Sequence, residues 1–268
     1  LNICRYVGVE MKTYKRNATY ELLRIIAMFM IVINHFAMFI QPDFSDFELN
    51  YFFNYLFQTG GKFGVNLFMF ITGYFLSEST FRKEKLIGLL LKCSVFSIGC
   101  YAVYAVVTRS LSIKSLIFSA FPCITNEYWF ITAYIGVYLL CPYINTLFRT
   151  LTKIQRRNLT ILLTVMLSVI PTFTLQETWT SNFVWLAFLY WIGAIVRHDL
   201  PEKIRKSRII FPSSCILYLA ITFSCLIIDY MSHYVPVLNY SIGHFRNMTS
   251  FPLLLSSVLL FIWVGNTT

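Results

Sequence analysis

Two ionisable residues stand inside the first long apolar run of this chain, Arg24 and His35. Eleven residues make about three turns of an α-helix, so both project from nearly the same face, about 16 Å apart along the axis. In hydrocarbon an ionisable side chain is costly unless it is paired or faces water, which makes each a candidate for function. Arg24 offers a fixed cation near one edge of the span. His35 offers an imidazole well over halfway across. Histidine ordinarily titrates at about pH 6.5 and serves readily as a general base. Plainer readings stand beside these. An Arg two residues into a span snorkels to head groups, and a deep His can simply bond a neighbouring helix, as Asn34 can. The shared face tips the pair toward function.

The other candidates divide similarly. Arg82-Lys83-Glu84-Lys85 reads as loop charge or as a contact for an anionic, phosphorylated donor, with Arg82 and Lys85 as the cations concerned. Lys92 can snorkel, and Glu127 and Asp229 sit at helix ends where water reaches them. His198 and Asp199 read as solvated loop residues. His233 and His244 have no partner identifiable from spacing. Gly60-Gly61-Lys62-Phe63-Gly64 lacks the Lys-Ser/Thr of a phosphate-binding loop and reads as a close helix-packing surface.

The elements that position these residues follow from composition. Of 268 residues, 57% are hydrophobic and 13% charged, against about 45–50% and 25% in soluble domains. A soluble chain of this size cannot hide so much apolar surface. Seven Cys without a C-x-x-C pair indicate neither a zinc site nor a disulfide framework. The fold expected is all-α, a polytopic transmembrane helical bundle embedded in the lipid bilayer.

A span needs roughly 20 mostly apolar residues, and eight stretches qualify or nearly do. They run Leu22–Ile40, Phe63–Leu76 (extending back through Tyr55–Phe57), Leu86–Val107, Tyr128–Phe148, Leu159–Leu175 around Pro171, Phe183–Val196, Ile209–Ile228 and Phe251–Val264. Leu111–Phe121 is too short to span and reads as interfacial or re-entrant. With the N-terminus cytoplasmic, 16 of the 22 Lys and Arg fall inside, in the tail and in Phe81–Lys85, Arg149–Arg157 and Arg197–Arg208. Only Arg109, Lys114 and Arg246 fall outside, as the positive-inside rule expects. The net charge of +10 is therefore mostly a topology signal, and nucleic acid is not expected as a partner. Residues 1–21 form the cytoplasmic tail and 22–268 the membrane domain. Met11 reads as a natural start, a cleavable signal peptide is a poor alternative, and the chain reads as incomplete at its C-terminus.

These residues bear a resemblance. Glu21-Leu22-Leu23-Arg24-Ile25-Ile26-Ala27, with His35 eleven residues after the Arg, resembles the opening span of the integral-membrane acyltransferase-3 family. Gly64-Val65-Asn66-Leu67-Phe68-Met69-Phe70-Ile71-Thr72-Gly73-Tyr74-Phe75-Leu76 is similar to that family's second span, with Thr72 for the usual Ser and Tyr74 for the usual Phe. Tyr128-Trp129-Phe130, Tyr138 and Pro142-Tyr143-Ile144-Asn145 resemble a third motif. Together these cover about half the chain, mostly before Asn145.

The resemblance implies an enzyme, an O-acyltransferase that moves an acyl group, commonly acetyl from acetyl-CoA, to a hydroxyl of a surface polysaccharide or glycolipid. It implies that His35 is catalytic and that Arg24 supports it or the donor. It implies acyl-CoA as donor substrate, no metal, a carbohydrate or glycolipid acceptor, and a multi-pass protein of a bacterial inner or plasma membrane. It also implies about ten spans, two more than this chain holds. Where the family carries an Arg-rich stretch after the second span, only Arg82 is Arg here, with Lys83 and Lys85 beside it. Two other classes stay open: a polysaccharide flippase, polymerase or other transporter, and a non-catalytic membrane remnant.

Overall fold

A computed structural model describes residues 17–40, 49–176 and 179–266. Met11 and the basic tail residues Arg5, Lys12, Lys15 and Arg16 lie outside the described residues. All regular structure among the described residues is helical. The helices are α1 (Ala18–Phe39), α2 (Leu49–Leu76), α3 (Lys83–Thr108), α4 (Ile113–Ala120), α5 (Trp129–Thr150), α6 (Lys153–Thr164), α7 (Ile170–Thr174), α8 (Asn182–His198), α9 (Glu202–Arg205), α10 (Ile210–Ser232) and α11 (Phe251–Val264). A π-helical stretch, Val165–Val169, joins α6 to α7 just ahead of Pro171, whose ring removes a backbone donor.

Five of these are long and apolar enough to cross a membrane: α1, α3, α5, the continuous Lys153–Thr174 run and α10. The other three expected spans are helices too, with a different character. Helix α2 has 28 residues, reaching back to Leu49, but carries Asn54, Gln58, Lys62 and Asn66. Helix α8 has 17 residues and α11 has 14. Helices α8 and α11 fall short on length, and the polar content of α2 has a physical cause. These three form the middle of the bundle, where Phe70, Trp185, Tyr190 and Phe261 are wholly buried. A helix sheathed by other helices need not be apolar toward lipid, and may use polar side chains as glue. Asn66 does so, accepting from the Trp185 indole at 3.2 Å and donating to the Met248 carbonyl at 3.4 Å. Helix α4, at 8 residues, is too short to span, as expected.

Glycines set the spacing around α2. A Cβ at Gly61 would lie 2.2 Å from Asn34, and one at Gly64 would lie 2.6 Å from the Ala27 carbonyl oxygen. At the crossing with α8, a Cβ on Gly73 would meet the Tyr190 carbonyl oxygen at 2.0 Å, and one on Gly193 the Phe70 carbonyl at 2.3 Å. Both crossings are backbone-to-backbone contacts of the small-residue kind. The expected packing role of the glycine-rich stretch holds.

The interhelical contacts sort the helix ends into two groups. Tyr20 at the start of α1 stacks on Tyr74 near the end of α2 and on Phe261 near the end of α11. Asn145 near the end of α5 donates to the Leu76 carbonyl at 2.9 Å. Arg156 of α6 pairs with Asp199 just beyond α8. The basic loops therefore share one end of the bundle. Ala37 of α1, Asn54 of α2, Asp229 of α10 and Arg246 mark the opposite end.

Candidate active site

Helix α1 begins four residues before the expected span because Asn17 caps it, its side chain accepting from the Thr19 amide at 3.1 Å. Glu21 in the first turn complements the positive helix terminus. Tyr20, Leu23, Ala27, Asn34 and Ala37 are the buried residues of α1. Arg24 and His35 stand together along one edge of that buried face, as their spacing requires.

Arg24 is held. Its Nη1 pairs with Glu21 Oε1 at 3.0 Å, with its side chain 35% exposed. Its guanidinium lies 6.0 Å from the centre of the Phe68 ring, at cation–π range. It also acts electrostatically on the phenol of Tyr134, across in α5. The contacts tie Arg24 to Glu21 and to the Phe68 ring.

His35 is exposed on α1, and its Nδ1 meets the Ile31 carbonyl oxygen at 2.7 Å. A carbonyl cannot donate, so this contact is attractive only when Nδ1 carries the proton. In the neutral ring the lone pair then belongs to Nε2. Helix α1 thus orients the imidazole by its own backbone and presents the basic nitrogen away from it.

Between α1 and α5, floored by α2, runs a seam of aromatic side chains. Phe68 meets Phe130 edge-on at 5.6 Å and Tyr134 at 6.3 Å. Tyr134 stacks on Tyr138 at 6.4 Å. Helix α5 packs its backbone closely on α8, and it meets α2 through these side chains. Arg24, Phe68, Phe130 and Tyr134 are all partly exposed along the seam.

Arg82 and Lys85 are exposed at the start of α3. Arg82 joins the seam through its backbone only. The Tyr138 phenol donates to its carbonyl at 3.1 Å and accepts from its amide at 3.3 Å. Among the described residues no contact ties the Arg82 or Lys85 side chain to Arg24 or His35.

Sequence reasoning missed the role of Tyr134. The signal was present, since Phe130, Tyr134 and Tyr138 recur at four-residue spacing, which puts them on one face of a helix. Asp199 is not the solvated loop residue expected, whereas His198, the last residue of α8, is exposed as expected. Asp199 accepts a bidentate pair from Arg156 at 2.6 and 2.8 Å, with both side chains largely buried. His198 Nε2 lies 3.2 Å from Ser77 Oγ and its ring packs on Phe148. His244 and His233 also have partners, the Thr172 carbonyl at 2.8 Å and the Asp229 carbonyl at 3.0 Å. At the basic end Arg197 covers the Tyr74 ring at 4.7 Å and pairs with Glu78. The bond from Arg197 holds the Glu78 carboxyl below its usual range. A cavity of about 490 Å³ opens at this end, lined by Leu200, Glu202, Arg205, Lys206, Gly265 and Asn266. Among the described residues no cluster of His, Cys, Asp and Glu could hold a metal ion.

Among the described residues the chain is an all-helical bundle with five helices long and apolar enough to cross a membrane, and the first of them carries a paired cation and an oriented imidazole. Residues 17–267 match the family described as "Acyltransferase domain", and the chain belongs to this acyltransferase-3 family. It is a membrane acyltransferase, with an acyl donor and an acceptor as its substrates. No curated protein and no solved structure matches the chain.

Proposed function

We propose that the chain transfers an acyl group, acetyl in the simplest case, from acyl-CoA to a hydroxyl of a cell-surface polysaccharide or glycolipid. The observation that carries this reading is the Nδ1–H contact of His35 with Ile31, which frees Nε2 to take a proton. Nε2 removes the acceptor hydroxyl proton as that oxygen attacks the thioester carbonyl carbon. The C–O bond forms, the C–S bond breaks, and the imidazolium returns its proton to the departing thiolate. An acyl-His intermediate would divide the same balance into two steps.

Arg24 supplies fixed positive charge beside the aromatic seam, where it would stabilise negative charge developing on the donor. With the N-terminus in the cytoplasm, the basic end faces the compartment that holds acyl-CoA. Arg82 and Lys85, exposed at that end, would meet the polyanionic head of the donor, whose long neutral arm suits the seam toward His35. The acceptor would come from the opposite side or along the lipid-facing edge of α1. The setting that fits is the inner or plasma membrane of a bacterium.

Mass analysis of surface glycans with and without the gene tests this reading. Loss of acetyl groups at constant chain length is the result expected. Shortened or missing polymer would indicate a flippase or polymerase instead, and unchanged glycans would point to a non-catalytic remnant.

A further inference from the structure

At the end of the bundle away from the basic loops, three side chains form a relay onto the last turn of α1. The Asn54 amide, buried to 7% exposure, donates to the Ala37 carbonyl at 3.0 Å and to the Ile40 carbonyl. Its own oxygen accepts from Gln58 Nε2, which also reaches the Ala37 carbonyl at 3.4 Å. Gln58 Oε1 in turn accepts from Arg246 Nη1. Arg246 lies over the Tyr55 ring at 5.5 Å, and the Tyr55 phenol donates to Asp229 at 2.8 Å.

The polarity of this chain is fixed. Backbone carbonyls accept only, so the Asn54 NH₂ must face α1; an arginine donates only, so the Gln58 oxygen must face Arg246. Positive charge at one end is thereby passed through two amides to the negative C-terminus of α1. That helix has no basic residue in its own last turn. His35 lies two residues before Ala37, in the same terminal stretch of helix.

We propose that Asn54, with Gln58 and Arg246 behind it, is a positioning residue for His35: the relay holds the last turn of α1 so that Nε2 keeps its place against the acceptor. The proposal rests on His35 being the base. It predicts that breaking the relay loosens residues 33–40 and lowers turnover without changing the need for donor, since the donor enters at the other end. A misplacement on the scale of an ångström costs about 100-fold in rate.

The test uses the full chain in lipid nanodiscs, with hydrogen exchange over residues 33–40 measured directly. Label transfer from radiolabelled acetyl-CoA to the membrane glycan fraction is measured in parallel. Asn54→Ala should speed exchange in 33–40 and cut the saturated rate about 100-fold, leaving the half-saturating acetyl-CoA concentration unchanged. Arg246→Met should show both effects more weakly, Arg246→Lys should return exchange and rate toward wild type, and this pair decides the matter if Asn54→Ala does not fold. Unchanged exchange, or faster exchange with an unchanged rate, would overturn the relay. His35→Ala is run alongside. If it is inactive while Asn54→Ala behaves as wild type, the relay fails alone; if it is fully active, the base assignment itself fails.

Discussion

The imidazole of His35 is pinned to the Ile31 carbonyl one turn earlier, Nδ1 to oxygen at 2.7 Å. The contact is local to α1, so the same helix that carries Arg24 also sets which nitrogen of His35 is basic. An imidazole oriented by its own backbone needs no second side chain to choose its tautomer.

Arg24 should matter through both its charge and its plane. Arg24→Gln removes the charge beside the seam and should lower acyl transfer about 100-fold, the scale of losing one preorganised electrostatic contact. Arg24→Lys keeps the charge but loses the flat face over Phe68, and should fall between. Initial rates on protein quantified as folded distinguish these outcomes. Equal, full activity in both variants would return Arg24 to a snorkelling role.

The α2–α8 crossing should tolerate no side chain at its glycines. Gly73→Ala places a methyl 2.0 Å from the Tyr190 carbonyl oxygen, a backbone atom that cannot swing aside. The expected loss is about 1–3 kcal/mol or more, seen as a lower unfolding temperature in detergent. Gly88→Ala, whose added Cβ meets nothing within 4 Å, serves as the control and should leave the unfolding temperature unchanged or raise it.

The Arg156–Asp199 pair should be structural and strong. Arg156 also donates to the Phe148 and Leu151 carbonyls at 3.0 and 2.9 Å, closing the end of α5. Arg156→Met leaves a largely buried carboxylate unpaired and should destabilise by about 3–5 kcal/mol. Replacing both residues, Arg156→Met with Asp199→Leu, should recover much of that loss. Thermal unfolding of the two single variants and the double variant checks it.

Glu78 should make stability depend on acid. Its carboxyl titrates below its usual range because Arg197 bonds the ionised form, so the folded state favours the anion. That contribution is fully present above the ordinary carboxylate pKa of about 4.3 and is lost as pH falls through the lower folded value. The side chain is 48% exposed, so solvent keeps the effect small. Unfolding temperatures of wild type and Glu78→Gln should differ near neutrality and converge in acid; a constant gap at every pH would contradict the assignment.

Much of this was legible in the residues. The eleven-residue spacing put Arg24 and His35 on one edge of α1, and Gly61 and Gly64 announced close packing before any partner was known. Hydropathy found every main helix but did not show that α2, α8 and α11 are the sheathed centre. A buried helix and a lipid-exposed one are both apolar, and only their neighbours tell them apart. Asp199 was illegible for a related reason: its partner Arg156 lies 43 residues away, and no periodicity links two helix ends. Tyr134 shows the intermediate case, because its spacing fixes a face of α5 while only the fold shows that Phe68 and Arg24 lie opposite.

The account turns on His35 as the base, and one measurement addresses it most directly. Full-length protein and its His35→Ala variant, matched for membrane insertion and folded amount, are compared for label transfer from acetyl-CoA to the membrane glycan fraction. The account predicts that transfer is lost in the variant, by about 100-fold or more, while insertion is unchanged. Transfer at the wild-type rate from a correctly inserted His35→Ala protein would contradict it.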